Sequence, residues 1–182
     1  MRSLFITTVA VVLLAGVNPS IAAPEAPEQV VARYHSRFES SRWLALSEFL
    51  HPDDLARFKK QFLALFSDEN PTTRKTLAEL YGPGATIQKL ESASPEEFLQ
   101  PILVMLNQSM DSAGIRVTSQ TVLGSVAEGE LVHVVYRWQS KGSAVSLSQV
   151  EVRTLRQYKD SWCLLLPMNL ESTIPAVKRA MQ

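Results

Sequence analysis

The sequence is poor in nearly every residue type that marks a reactive site. It has one cysteine, three histidines and seven glycines in 182 residues. A single cysteine cannot close an internal disulfide, so the fold must stand on its own core, and no CxxC motif exists. His35, His51 and His133 do not form HExxH or any other metal-ligand spacing, so neither a metal nor another cofactor is expected. The glycines make no phosphate-binding loop and no GxSxG; Tyr81-Gly82-Pro83-Gly84 reads as a turn. An excess of either charge is also missing, with 18 Lys+Arg against 18 Asp+Glu. Without a basic surplus there is no electrostatic footprint for nucleic acid. An apolar fraction of 46% excludes a disordered chain, and the length suits one domain.

What is present begins with an export signal over residues 1–22. Arg2 supplies the positive start, and Leu4 to Val17 is an apolar run shorter than a membrane span. Asn18 and Pro19 break that run. Ser20-Ile21-Ala22 places small residues where a signal peptidase reads, with Ala23 as the alternative cut. No cysteine follows to take a lipid. Arg2 is the only charge in this segment, so its removal leaves 160 residues with a formal charge of −1. A chain of that length buries roughly two-thirds of its unfolded surface. No later segment approaches ~18 continuous apolar residues, so stable membrane insertion after cleavage is not expected. The expected location is the periplasm or the exterior.

Residues 23–29 read as a loose leader and 30–182 as one domain. Val30, Val31, Tyr34 and Phe38 recur at helical spacing. Ser40 and Ser41 can cap a further helix carrying Trp43, Leu46, Phe49 and Leu50. His51-Pro52-Asp53-Asp54 starts another, with proline in the first turn and acids at the positive end of the dipole. Its inner stripe is Leu55, Phe58, Phe62, Leu65 and Phe66, opposite a solvated basic group of Arg57, Lys59 and Lys60. Asn70-Pro71 opens a helix that Gly82 ends. Ala85 to Leu90 is expected as a short strand or extended linker. Ser94-Pro95-Glu96-Glu97 is a capping box for a helix lined by Phe98, Leu99, Ile102, Leu103, Leu106 and Met110, which Pro101 should kink.

From Ile115 the period changes to two. Strands are expected over 115–123, 131–139, 144–158 and 162–166, with turns at 127–130, 141–143 and 159–161. Pro167 stops the last strand, and a tail helix is expected over 170–181. Segregated helices and a four-stranded antiparallel meander make the class α+β. Folding the second and third strands about Gly142 sets His133 opposite Glu151. One face then holds Val132, Val134, Tyr136, Trp138, Val150 and Val152. The other holds His133, Arg137, Gln149, Glu151 and Arg153 and reads as a polar outer face. A carboxylate beside His133 would raise its pKa and orient its ring.

Three stretches carry a family resemblance. They are Val30–Phe66, with Trp43-Leu44-Ala45-Leu46 and His51-Pro52-Asp53; Ile115–Gln139; and Val150–Leu166, where Lys159-Asp160 turns into Ser161-Trp162-Cys163-Leu164-Leu165. Together they cover about half of the mature chain. The pattern resembles the nuclear-transport-factor-2-like superfamily, also called ketosteroid-isomerase-like or cystatin-like α+β. The resemblance implies N-terminal helices on a curved meander, forming a cone with a pocket. It also implies that enzymes of the family keep an acidic base and hydroxyl or acid donors inside that cone. Here Asp53, Asp54, Asp68, Asp111 and Asp160 fall at helix ends or turns, and Glu151 falls on the face assigned outward. No catalytic residue is assigned.

The expected function follows from these readings. Trp43, Tyr136, Trp138 and Trp162 are the pocket candidates, and His133, Arg137 and Glu151 form the polar sheet face. His35 reads as a surface or boundary histidine, His51 as part of a helix entry, and Cys163 as a small core residue. The leading expectation is an exported, non-enzymatic domain that binds a small apolar ligand or a protein partner, or forms a homodimer through the outer sheet face. The alternative is a small lyase, isomerase or hydrolase using a pocket His or Glu.

Overall fold

A computed structural model describes residues 25–39, 43–66, 70–142, 146–166, 174 and 177. The export signal and the start of the leader lie outside these residues. The chain is α+β. Helix α1 (Pro27–Glu39) is followed by a 3-10 turn (Trp43–Phe49), α2 (Pro52–Leu63), a second 3-10 turn (Ala64–Phe66), α3 (Pro71–Tyr81), α4 (Ile87–Ser92) and α5 (Pro95–Ser112). Strands β1 (Arg116–Glu128), β2 (Leu131–Lys141), β3 (Ser146–Tyr158) and β4 (Ser161–Leu164) then form one antiparallel sheet in the order β1-β2-β3-β4. No helix among the described residues is long and apolar enough to cross a membrane.

The helix starts follow local chemistry. His51 caps α2, its Nδ1 accepting from the Asp53 amide at 3.3 Å, with Pro52 in the first turn. Asn70 caps α3 through the Thr73 amide at 2.8 Å. Ser94 and Glu97 close a reciprocal box at the start of α5. Such caps satisfy amides that have no partner inside the helix. Three expectations are corrected. The stretch around 85–90 is a helix, because Thr86 caps it through the Lys89 amide. The helix after the leader already begins at Pro27, a residue suited to a first turn. And Lys59 is not simply solvated: its Nζ donates to the Glu91 and Ala93 carbonyls at 2.7 and 2.5 Å, in the last turn and at the C-cap of α4, where a cation is favoured. Helix α5 runs on through Pro101.

The core lies between the helices and one face of the sheet. Leu55, Phe58, Phe62 and Phe66 meet Phe98, Leu99 and Ile102 of α5, all nearly inaccessible. Their rings pack at 5.6 Å between Phe62 and Phe98 and 5.7 Å between Phe58 and Phe62. Burying each such side chain contributes about 1.5–3 kcal/mol. The last strand is tied to the α2 entry. The His51 amide donates to the Leu164 carbonyl at 2.8 Å, Leu50 bridges Leu164 in parallel, and the Leu166 amide donates to Asp54 Oδ2 at 3.0 Å. Most of the expected tail helix lies outside the described residues; Ile174 and Val177 are helical and pack against the core.

The pairing of β2 with β3 differs from the expected register. His133 faces Thr154, Tyr136 faces Glu151, and Lys141 faces Ser146. A His133–Glu151 pairing would leave Gly142 alone to reverse the chain, and hairpins need at least about two loop residues. The observed pairing leaves residues 142–145 for the reversal. The slip of three residues is odd, so every β3 side chain changes face relative to β2. Val150 and Val152 turn outward, 53% and 52% exposed. Glu151 and Arg153 turn inward, alongside Val134 and Tyr136. The placement of Glu151 on a polar outer face with His133 and Arg137 is therefore corrected.

Candidate functional site

The inner face of the sheet carries a cleft of about 150 Å³. Five elements build it. Helix α1 lays Val30, Val31, Tyr34 and His35 against the sheet, since these positions share one helical face. Strand β2 supplies Tyr136 and Trp138, β3 supplies Glu151 and Arg153, and β1 supplies Val117 and Gln120. Met110, in the last turns of α5, closes an apolar side. Strand β1 bulges between Val117 and Ser119 and again between Val122 and Gly124; bulges bend and twist a strand locally, here beside the cleft.

Glu151 is held by two donors. Tyr136 Oη donates to its Oε2 at 2.6 Å and Trp138 Nε1 donates to its Oε1 at 2.7 Å. Arg153 lies beside it, one guanidinium nitrogen 4.0 Å from Oε2, outside hydrogen-bond range. The guanidinium sits over two rings instead, 5.8 Å from the centre of Tyr34 and 5.4 Å from that of Tyr136. Burial pushes the Tyr136 phenol well above its ordinary range; Arg153 opposes this and the Glu151 bond adds to it. The Tyr34 phenol is raised for the same first reason. Both phenols stay protonated at neutral pH.

His35 is not at the surface. It is 3% exposed, and its ring lies 4.2 Å from that of Tyr136. Among the described residues neither of its ring nitrogens has a hydrogen-bond partner. Burial, and then the Arg153 charge, push its pKa down to about 3, so the ring is neutral and offers one donor and one acceptor. The sequence did hold a signal: His35 follows Val31 by one helical turn, on the stripe that also carries Tyr34. The same stripe logic applied to the polar residue would have placed it inside.

The remaining candidates are dispersed. Tyr136 and Trp138 line the cleft. Trp162 is half-buried and packs against the core. Trp43 opens its 3-10 turn, and its side chain lies outside the described residues. His133 is on the outer face, with Nδ1 3.0 Å from Thr154 Oγ1 and Nε2 2.8 Å from Glu128 Oε2. Its carboxylate neighbour is thus Glu128 rather than Glu151. Arg137 is exposed on that same face. Cys163 is half-buried opposite Arg156, and burial raises its thiol pKa. Arg153, assigned outward with Glu151, was not singled out from the sequence at all.

A larger groove of about 610 Å³ runs between α2, α4 and the start of α5. Its Lys59 is already committed to backbone carbonyls. Among the described residues none of those lining it holds a buried polar atom without a partner, whereas the inner-face cleft has three such atoms on His35 and Arg153. The cleft is therefore the candidate site. Among the described residues no group of three or more His, Cys, Asp or Glu is placed to hold a metal ion.

No protein-family model matches the sequence, and no curated protein matches it. Among solved structures, a SEC-C motif-containing protein from Rhodopseudomonas palustris shares 14% identity over 52% of this chain, with a TM-score of 0.29. The chain spans 64% of that protein's length.

Proposed function

We propose that this chain is an exported domain that binds a small ligand in the inner-face cleft without transforming it. One observation carries the reading: His35 is buried at the cleft wall with both ring nitrogens unpartnered among the described residues. Buried polar atoms are nearly always paired, and leaving one unpaired costs about 1–3 kcal/mol. A bound ligand supplies the missing partners. The export assignment rests on residues 1–22, and the order of helices before a meander supports the nuclear-transport-factor-2-like reading. The exposed Val126, Val150 and Val152 on the outer sheet face support self-association there. Ligand-observed NMR of the full chain against a small-molecule library tests the cleft. Hits should vanish in Met110→Trp, which fills the cleft from α5. An empty screen, or hits that survive this variant, would sink the proposal.

A second reading has its own observation. The Glu151 carboxylate and Tyr136 phenol meet at 2.6 Å inside the cleft. A carboxylate beside a protonated phenol is a pair suited to taking a proton from one atom of a substrate and stabilising oxygen charge at another. Slow conversion of a bound hit, lost in Glu151→Gln, would favour an isomerase or lyase. A hit recovered unchanged from the wild-type protein favours binding alone.

A further inference from the structure

The hydrogen-bonding groups of the cleft do not balance. The Arg153 side chain is 14% exposed, and its Nε–H is buried with no acceptor among the described residues. Its nearest anion does not serve it: the closest approach between the guanidinium and Glu151 is 4.0 Å, from a terminal nitrogen to Oε2, beyond hydrogen-bond range. His35 adds a second unpaired N–H and one unpaired acceptor. The Arg153 guanidinium carbon lies 5.8 Å from the Tyr34 ring centre and 5.4 Å from that of Tyr136, and a ring face is a weaker partner for an N–H than an oxygen acceptor. What the cleft lacks is an acceptor in the plane of a guanidinium fork, and a carboxylate fits that geometry with two parallel bonds.

Building on the reading of the cleft as a ligand site, we infer that its ligand is a small monocarboxylate, clamped by Arg153 with its short apolar part against Met110 and Val117. The size follows from the volume. A cleft of about 150 Å³ corresponds to roughly five waters at ~30 Å³ each, which suits an acid of about six heavy atoms such as butyrate. The charge follows from the groups present. Arg153 and Glu151 cancel in the empty cleft, so a carboxylate brings one uncompensated negative charge into a half-buried site. His35 is the group able to answer it. The charged and titratable groups that face it are Tyr34 on its own helix, Tyr136 on β2, and Glu151 and Arg153 on β3. A carboxylate on Arg153 masks the cation that disfavours imidazolium and gives that imidazolium an acceptor. The ligand therefore binds together with one proton, which passes from solvent to the His35 ring.

Isothermal titration of the full 182-residue chain with butyrate and with its neutral isostere butyramide tests this, in two buffers of different ionisation enthalpy. Butyrate should bind at least about tenfold tighter than butyramide. Its affinity should fall at least about tenfold from about pH 5.5 to about pH 7.5, with net proton uptake read from the buffer dependence. Arg153→Met should abolish binding, and Arg153→Lys, which keeps the charge but not the fork, should weaken it about tenfold or more. His35→Gln should still bind, but with no proton uptake. Butyramide binding as tightly as butyrate would overturn the carboxylate assignment while leaving a ligand cleft in place. Failure of both to bind would overturn it outright, with the library screen then deciding the cleft. Proton uptake that persists in His35→Gln would overturn the role of that ring.

Discussion

Replacing His35 by phenylalanine should stabilise the protein, most of all in mild acid. Two effects combine. At neutral pH the substitution removes two buried ring nitrogens that lack partners and keeps a flat ring against Tyr136. Since an unmet buried polar atom costs about 1–3 kcal/mol, a gain of about 1–2 kcal/mol is expected. The second effect depends on pH. The folded pKa of His35 is pushed down to about 3 from 6.5, so the unfolded chain takes up a proton that the folded chain refuses. The contribution is present above the unfolded value and is lost as pH falls from 6.5 toward 3, by up to about 1.4 kcal/mol per pH unit. Relative to pH 7, the wild type should lose about 1 kcal/mol more than His35→Phe by pH 5.5, and about 2.5 kcal/mol more by pH 4.5. Urea unfolding of both proteins across this range gives the difference directly, because every other ionisable group is common to the two proteins and cancels. Parallel curves for the two proteins would refute the buried, neutral His35, as would a phenylalanine variant less stable at every pH.

Four further outcomes are expected. Tyr136→Phe should cost about 1.5–3 kcal/mol in urea unfolding, because it removes a bond to a charged acceptor; in a Glu151→Gln background the loss should shrink. Asp54→Ala should leave the buried Leu166 amide unpaired, costing about 1–3 kcal/mol and raising hydrogen exchange at Leu166 more than at Leu155. Leu155→Ala, at a position with no exposure, should cost about 2–5 kcal/mol by thermal or urea unfolding. Lys159→Gly should be neutral or stabilising by up to about 1 kcal/mol, since Lys159 has φ 53° in the two-residue β3–β4 turn, a region that disfavours residues with a Cβ.

The helical half was legible because its signals are local. Pro52, Pro71 and Pro95 each follow a side chain able to cap, and the apolar stripe of α2 repeats at one helical period, so element type needed no knowledge of distant residues. The stretch after Ala85 failed for the same reason in reverse: a single Thr86 cap starts a helix too short to show a period. The strands were also legible as strands, but the site was not, because it depends on register. Residues 131–139 and 146–158 alternate well enough to be strands under either pairing. Only the length of the reversal between Lys141 and Ser146 selects one, and choosing it wrongly carried Glu151 and Arg153 to the wrong face. Tyr136 and Trp138 follow the apolar alternation of Val132 and Val134 along β2, so their face does not depend on the β2–β3 register. His35 is hard to place from sequence because its polarity argues for the surface while its position on the apolar stripe of α1 argues for the core.

The β2–β3 register is therefore the point on which the cleft, the Arg153 clamp and the Glu151–Tyr136 pair all depend. Cross-strand backbone NOEs on isotope-labelled protein measure it directly. Tyr136 should show contacts to Glu151 and His133 to Thr154, with the Trp138 indole proton shifted by its bond to Glu151. Contacts between His133 and Glu151 would instead turn Glu151 and Arg153 to the outer face and leave the cleft without its charges.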